Sequence, residues 1–199
     1  MFIVIEGLDG TGKSTLARSL AQHLGAIHLR TPDESLASVR PILDAMLSET
    51  PSAHTLFYWM MVQHAAEKAR RLVSMGDHVV LDRYWGSTVA YDAVIRRSGL
   101  PFEQLVTGLF RPDLTLFLEA SRVVRQARIS ARGGASAEDR RGLDPDVDAQ
   151  LCSAYDAALA GPCVGQLVRL NVDGATPGDV LRTALNFVTA DVALGRILH

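Results

Sequence analysis

A chain of 199 residues is long enough to bury a three-layer core without disulfides or a structural metal, so one domain over 1–199 is expected. Its 48% hydrophobic and 21% charged residues are those of an ordinary soluble globular protein, and no apolar run approaches the ~18 residues of a membrane span. A formal charge of −2 gives no electrostatic case for nucleic-acid or membrane-surface binding, so any anion must be held by a local site.

The opening "MFIVIEG" lacks a basic segment and meets Glu6 too soon for a signal peptide, so it reads as a buried strand over 2–5. Directly behind it "GLDGTGKST" (7–15) fits G-x-x-x-x-G-K-[ST] between a strand and a helical pattern, the context this motif requires. Gly7, Gly10, Thr11, Gly12, Lys13, Ser14 and Thr15 are the expected nucleotide cradle. Glycines let backbone N–H groups curl around phosphate oxygens while the next helix points its positive end at the same anion. Lys13 then bridges the outer phosphates of ATP, and the Ser14 hydroxyl ligates Mg²⁺.

Helical spacing runs over Ser14–Leu24, followed by a strand "AIHL" (26–29) and helices over Asp33–Ser48 and Ala53–Met75. The strand "HVVL" (78–81) ends in Asp82 and Arg83. Burying such a charge pair needs a reason, because an ion without a partner costs several kcal/mol. If this strand lies parallel to and beside the first, Asp82 holds the Mg²⁺ shell and Arg83 faces phosphate oxygens. The alternative is a local ion pair capping the next helix. Helices follow over Ser87–Ser98 and Phe102–Phe110, then the strand "LTLFL" (114–118) and a helix over Val123–Arg132.

The stretch 132–146, "RGGASAEDRRGLDPD", mixes Gly, Ser and Pro with charges and reads as an irregular lid. A helix over Val147–Ala160, the strand "QLVRL" (166–170) and a helix over Pro177–Thr189 complete the chain. Five apolar strands alternating with helices predict an α/β fold, a parallel sheet covered on both faces in three α/β/α layers. Cys152 and Cys163 read as small apolar residues with reduced thiols, which points to the cytoplasm.

Together these motifs resemble the thymidylate kinase family of P-loop nucleoside monophosphate kinases. "FIVIEGLDGTGKST" is similar to its opening strand and phosphate loop, and "DRYWGSTVAY" (82–91) to its D-R-Y-x-x-S-x-x-A-Y signature. "LFYWMMVQH" (56–64) is similar to its L-F-x-x-D-R-x-Q-H helix and "PDLTLFL" (112–118) to its P-D-L strand. The resemblance implies transfer of the ATP γ-phosphoryl group to a pyrimidine nucleoside monophosphate, dTMP first, by a homodimer. It also implies that Asp9 lies near the acceptor sugar and metal, and that Arg40 contacts the acceptor phosphate. Phe57 would stack on the base, Ser87 and Thr88 approach it, and Tyr91 crowd the sugar 2′ position. Some members carry a catalytic arginine in the phosphate loop and others in the lid. Gly10 at the loop position resembles the second kind, which makes Arg128 and Arg132 the candidates among Arg125, Arg128, Arg132, Arg140 and Arg141.

Two departures touch the acceptor side. The family's Asp-Arg pair is Met60-Met61, so the arginine expected at a thymine carbonyl is absent, and its E-P-G-G-T is "TPDES" (31–35). Both look more like the UMP/CMP kinase branch of the family, which keeps UMP, CMP, dUMP and dCMP open as acceptors. A nucleoside kinase would instead need a carboxylate base, for which Asp33 and Glu34 are the candidates. A nucleotide-binding regulator without transfer activity is a third reading, against which Lys13, Ser14, Asp82 and Arg83 count.

Overall fold

The structure is a computed structural model that describes residues 1–133 and 137–193. Five strands form a single sheet: β1 (Phe2–Gly7), β2 (Ile27–Arg30), β3 (Val79–Asp82), β4 (Leu114–Glu119) and β5 (Gln166–Asn171). All pair in parallel in the order β2-β3-β1-β4-β5. Around them lie α1 (Lys13–Leu24), α2 (Arg40–Met46), α3 (Pro51–Ser74), α4 (Trp85–Tyr91), α5 (Phe102–Val106), α6 (Arg122–Ala131), α7 (Ala137–Gly142), α8 (Pro145–Leu159) and α9 (Pro177–Ala193).

The layering follows from side-chain alternation along β1, every residue of which is buried. Phe2 and Val4 join a core with Val62 and Ala66 of α3, Ala90 of α4 and Tyr155 of α8. Ile3 and Ile5 face the opposite layer, packing with Leu16 and Leu20 of α1 and Ala184 and Val188 of α9. Both faces are covered, as near-continuous apolar strands require. The expected α/β/α architecture is the one observed.

Helix ends differ from the sequence reading, each for a local reason. The helix expected over 33–48 is a 3-10 turn at Glu34–Leu36, closed by the Asp33 carboxylate accepting from the Ser35 N–H, followed by a separate α2. Pro41 in the first turn of α2 has no N–H to continue an earlier helix. The helix expected over 87–98 is α4, beginning at Trp85, running into a π-helical turn at Asp92–Arg96 that Arg97 ends in the left-handed region. The stretch 132–146 is not wholly irregular: it holds α7 and the start of α8, whose first turn is capped by Asp144. Within that stretch, 134–136 lie outside the described residues.

Candidate active site

Ile5 of β1 stands opposite Asp82 of β3, so the segments leaving both strands emerge on one edge of the sheet. There they border a cavity of about 1520 Å³. A site for one small ligand measures about 300–1,000 Å³, so there is room for a donor and an acceptor together.

The cradle's shape depends on two glycines. A Cβ at Gly10 would come within 2.7 Å of the Arg125 carbonyl oxygen of α6. Gly12 precedes α1 in the left-handed region, where L side chains are strained, and turns the chain so that the first turn of α1 opens on the cavity. Thr11, Lys13, Ser14 and Thr15 line the cavity, whereas Gly7 lies behind it, packed against the Leu118 carbonyl. Lys13 donates its ammonium to the Leu8 carbonyl at 2.6 Å. Burial pulls its pKa down to about 8, helped by the positive charge of Arg83, although Asp9, Asp82 and Glu6 oppose the shift.

Asp82 is 2% exposed, and its Oδ1 has no hydrogen-bond partner among the described residues. A buried carboxylate oxygen left this way is costly unless a cation or its hydration shell meets it. Ser14 lines the cavity whereas Asp82 lies behind its lining; both offer oxygen, the donor type a hard divalent cation takes. Next to Asp82, Arg83 adopts φ 69, unusual for a residue with a side chain, and is ion-paired to Asp9. Tyr91 donates to the other oxygen of Asp9 at 2.6 Å. Burial alone would raise the Asp9 carboxyl, but Arg83 and Lys13 outweigh it and hold Asp9 well below the usual carboxylate range.

Sequence reasoning missed Glu6. This carboxylate accepts from the Tyr84 and Ser87 N–H groups at 3.0 Å each and from the Ser87 hydroxyl, and so anchors the start of α4. Burial raises its pKa, and the bonds from Ser87 and Tyr84 oppose that rise. Ser87 and Thr88 line the cavity, but the Ser87 hydroxyl is already engaged by Glu6. The only signal for Glu6 was a charge ending an apolar strand.

Phe57 does not line the cavity. It packs with Met61 against Leu36, Leu43 and Leu47, and the residues of α3 that line the cavity are Pro51, His54 and Tyr58. Phe57 and Met61 are i,i+4 neighbours on an apolar stripe, and burying that stripe turns the adjacent His54–Tyr58 stripe toward the cavity. Asp44 of α2 joins this wall together: its Oδ1 accepts from Tyr58 at 2.8 Å and lies 2.9 Å from His54 Nε2, and its Oδ2 lies 3.3 Å from Arg40 Nε. Arg40 also donates to the Tyr58 hydroxyl at 3.1 Å, and it lines the cavity.

On the opposite side, Arg128 of α6 donates to the carbonyls of Thr11 and Val172, tying the cradle to the end of β5. Arg132 pairs with Asp139 at 2.6 Å, and both line the cavity with Arg141. Arg125, another candidate, is buried and ion-paired to Asp148 of α8, away from the cavity. Asp33 and Glu34 border the cavity but are occupied: Asp33 caps its turn, and Glu34 lies 3.4 Å from Arg30. The Ser35 N–H lowers the Asp33 pKa, which makes it a weaker base.

The profile of the thymidylate kinase family matches residues 5–144, which spans the cradle, Asp82–Arg83, α3 and most of the stretch after α6. The chain belongs to the thymidylate kinase family. It is 36% identical to the thymidylate kinase of Pseudomonas putida (strain W619) over 149 residues, 67% of this chain and 71% of that one. The thymidylate kinase of Synechococcus sp. (strain WH7803) is 30% identical over 202 residues, 87% of this chain and 95% of that one. The fold is shared with Candida albicans thymidylate kinase, with TM-score 0.71, 22% identity and coverage of 96% and 91% of the two chains. It is also shared with a deoxyadenosine kinase from M. mycoides, with TM-score 0.73, 17% identity and coverage of 95% and 100%. As a member of the thymidylate kinase family the chain is an ATP-dependent nucleoside monophosphate kinase.

Proposed function

We propose that this kinase transfers the γ-phosphoryl group of ATP to dTMP, giving ADP and dTDP, with Mg²⁺ as the metal. The observation that carries this reading is a cavity with guanidinium and ammonium groups on both sides and its acidic residues already engaged. A monophosphate acceptor is ionised at neutral pH, so transfer needs charge neutralisation and alignment rather than a base. A nucleoside hydroxyl would need a free carboxylate, and the engagement of Asp33 and Glu34 counts against that.

In this reading the backbone N–H groups of 10–15 and the Lys13 ammonium grip the donor phosphates, Lys13 exchanging the Leu8 carbonyl for a phosphate oxygen. Ser14 and Asp82 would hold Mg²⁺, which when bound neutralises charge on the donor's outer phosphates. Arg83 stands between donor and acceptor, steadied by Asp9, and its fork pairs with phosphate oxygens as charge shifts to the leaving group. Arg40 takes the acceptor phosphate, and Tyr91, held by Asp9, sits against the sugar. Arg128 and Arg132 supply positive charge from the lid side, with 132–146 as the lid of a single domain that excludes water on closing. The working form is a cytoplasmic homodimer; exposed apolar residues on α2 and α3 support a second copy as partner. No helix among the described residues is long and apolar enough to cross a membrane.

The test is ADP production from Mg-ATP with purified protein against dTMP, dUMP, UMP, CMP, dCMP and thymidine. Highest kcat/KM with dTMP is the expected result. A preference for UMP or CMP would assign another acceptor, and turnover with thymidine alone would overturn the monophosphate reading.

A further inference from the structure

Glu6 is a carboxylate for which the proposed transfer has no direct use, 1% exposed on the face of β1 that also carries Phe2 and Val4. Here β1 outruns its neighbour: the β1–β3 ladder stops at Ile5 and Asp82, while Glu6 and Gly7 go on to pair with β4. The chain leaves β3 through Arg83 at φ 69, a region that a residue with a side chain keeps only when its surroundings over-determine it. A bond on either side supplies that constraint. The Arg83 N–H donates to the Ile5 carbonyl at 3.0 Å, and the Tyr84 N–H donates to Glu6 Oε1 at 3.0 Å. The same oxygen accepts from the Ser87 N–H at 3.0 Å, in a first helical turn where the N-cap Tyr84 makes no side-chain capping bond. Gly86 leaves room for this approach, since a Cβ there would stand 3.0 Å from Oε1. Oε2 accepts from the Ser87 hydroxyl, which accepts in turn from the Tyr155 hydroxyl at 3.0 Å.

We propose that Glu6 is a positioning residue for phosphoryl transfer, acting through Arg83 by locking the left-handed turn that aims the guanidinium into the cavity. This inference rests on the role given to Arg83 above. Asp9 holds the tip of the Arg83 side chain, but an ion pair at the tip does not set the backbone from which the arm departs. Without the Glu6 acceptor, residue 83 falls back toward the extended conformation of the strand it leaves, and a displacement of about 1 Å at a reacting site costs about a hundredfold in rate. A carboxylate suits the place because it only accepts, and the Tyr84 and Ser87 groups that face it donate. Its place in the chain matters as much as its chemistry. Gly7, the next residue, opens the phosphate loop, so the side chain that fixes the Arg83 turn belongs to the strand that carries the donor cradle. Glu6 thereby sets the register between Arg83 and the bound donor.

The experiment measures kcat and KM for Mg-ATP and for whichever of dTMP, dUMP, UMP and CMP the parent turns over fastest. The proteins are the parent, Glu6→Met, Glu6→Gln, Arg83→Ala and the double variant of Glu6→Met with Arg83→Ala, with thermal melts in parallel. Glu6→Met fills the space without an acceptor, so kcat should fall about 100-fold with both KM values nearly unchanged. Glu6→Gln keeps an oxygen that accepts from both N–H groups and should recover most of that loss. In the double variant kcat should be no lower than in Arg83→Ala, because a residue that acts through Arg83 then has nothing to act on. Losses that multiply in the double variant, or a Glu6→Met effect confined to KM or to the melt, make Glu6 merely structural and overturn the assignment. If Glu6→Met does not fold, Glu6→Asp, one methylene shorter, takes its place, and an unchanged kcat there overturns it too. Parental turnover in Arg83→Ala overturns the role of Arg83 on which this inference rests, and a parent inactive on every monophosphate overturns the functional reading itself.

Discussion

Arg83 occupies a backbone region that costs a residue with a side chain about 1–3 kcal/mol, and it does so where β3 must deliver Asp82 and Arg83 to the same edge. Arg83→Ala should lower kcat about 100- to 1,000-fold, the loss typical of a group that stabilises developing charge, and leave KM for ATP nearly unchanged. Steady-state kinetics in both substrates check this. Lys13 has a pH signature: its pKa near 8 lies below that of an unfolded lysine, so burial costs stability below pH 8, and that cost is relieved as pH rises toward 10.5. Nucleotide binding runs the other way, because only the ammonium pairs with phosphate. Affinity for ATP should fall as pH rises above about 8, and binding at that pH should take up a proton, measurable by calorimetry in buffers of different ionisation enthalpy. That Lys13, Ser14 and Arg83 border the cavity was legible because a local motif and a strand end announce them. Glu6 was not, since its partners Tyr84 and Ser87 lie 78 and 81 positions away.

The strands were readable from sequence because each is a short apolar run whose burial on both faces leaves little ambiguity. Helix phase was not, and α3 shows why: its wide apolar stripe is compatible with several rotations, and only packing against 36–47 decides that Tyr58, equally buried, borders the cavity while Phe57 does not. The same α2–α3 junction gives a kinetic prediction. Asp44→Ala removes the carboxylate that holds Arg40, His54 and Tyr58 together, so KM for the acceptor should rise about tenfold, the order of a hydrogen bond to a charged group, with KM for ATP unaffected. The α6–α8 junction gives a stability prediction. Asp148→Ala strands the buried Arg125 guanidinium, which should cost about 3–5 kcal/mol, read as a lowered urea midpoint.

At the scale of the whole molecule, Ile42 and Met46 of α2 and Leu56 and Met60 of α3 are large apolar side chains exposed by 66%, 65%, 48% and 54%. Buried in a dimer they stabilise; in a monomer they would remain in water. The protein should therefore sediment as a dimer, and Met60→Glu should sediment as a monomer. The sequence reading of a homodimer came from family likeness, since no pattern within one chain distinguishes a core stripe from an interface. The contact between Gly10 and the Arg125 carbonyl also bears on evolutionary history. Any Cβ at residue 10 collides with the backbone of α6 in this arrangement, so a loop arginine cannot be acquired here by a single substitution. The helix would have to retreat first, giving up contacts at the rear of the cradle for no catalytic return, so an uphill intermediate separates this geometry from one with a loop arginine and keeps a lineage committed to it.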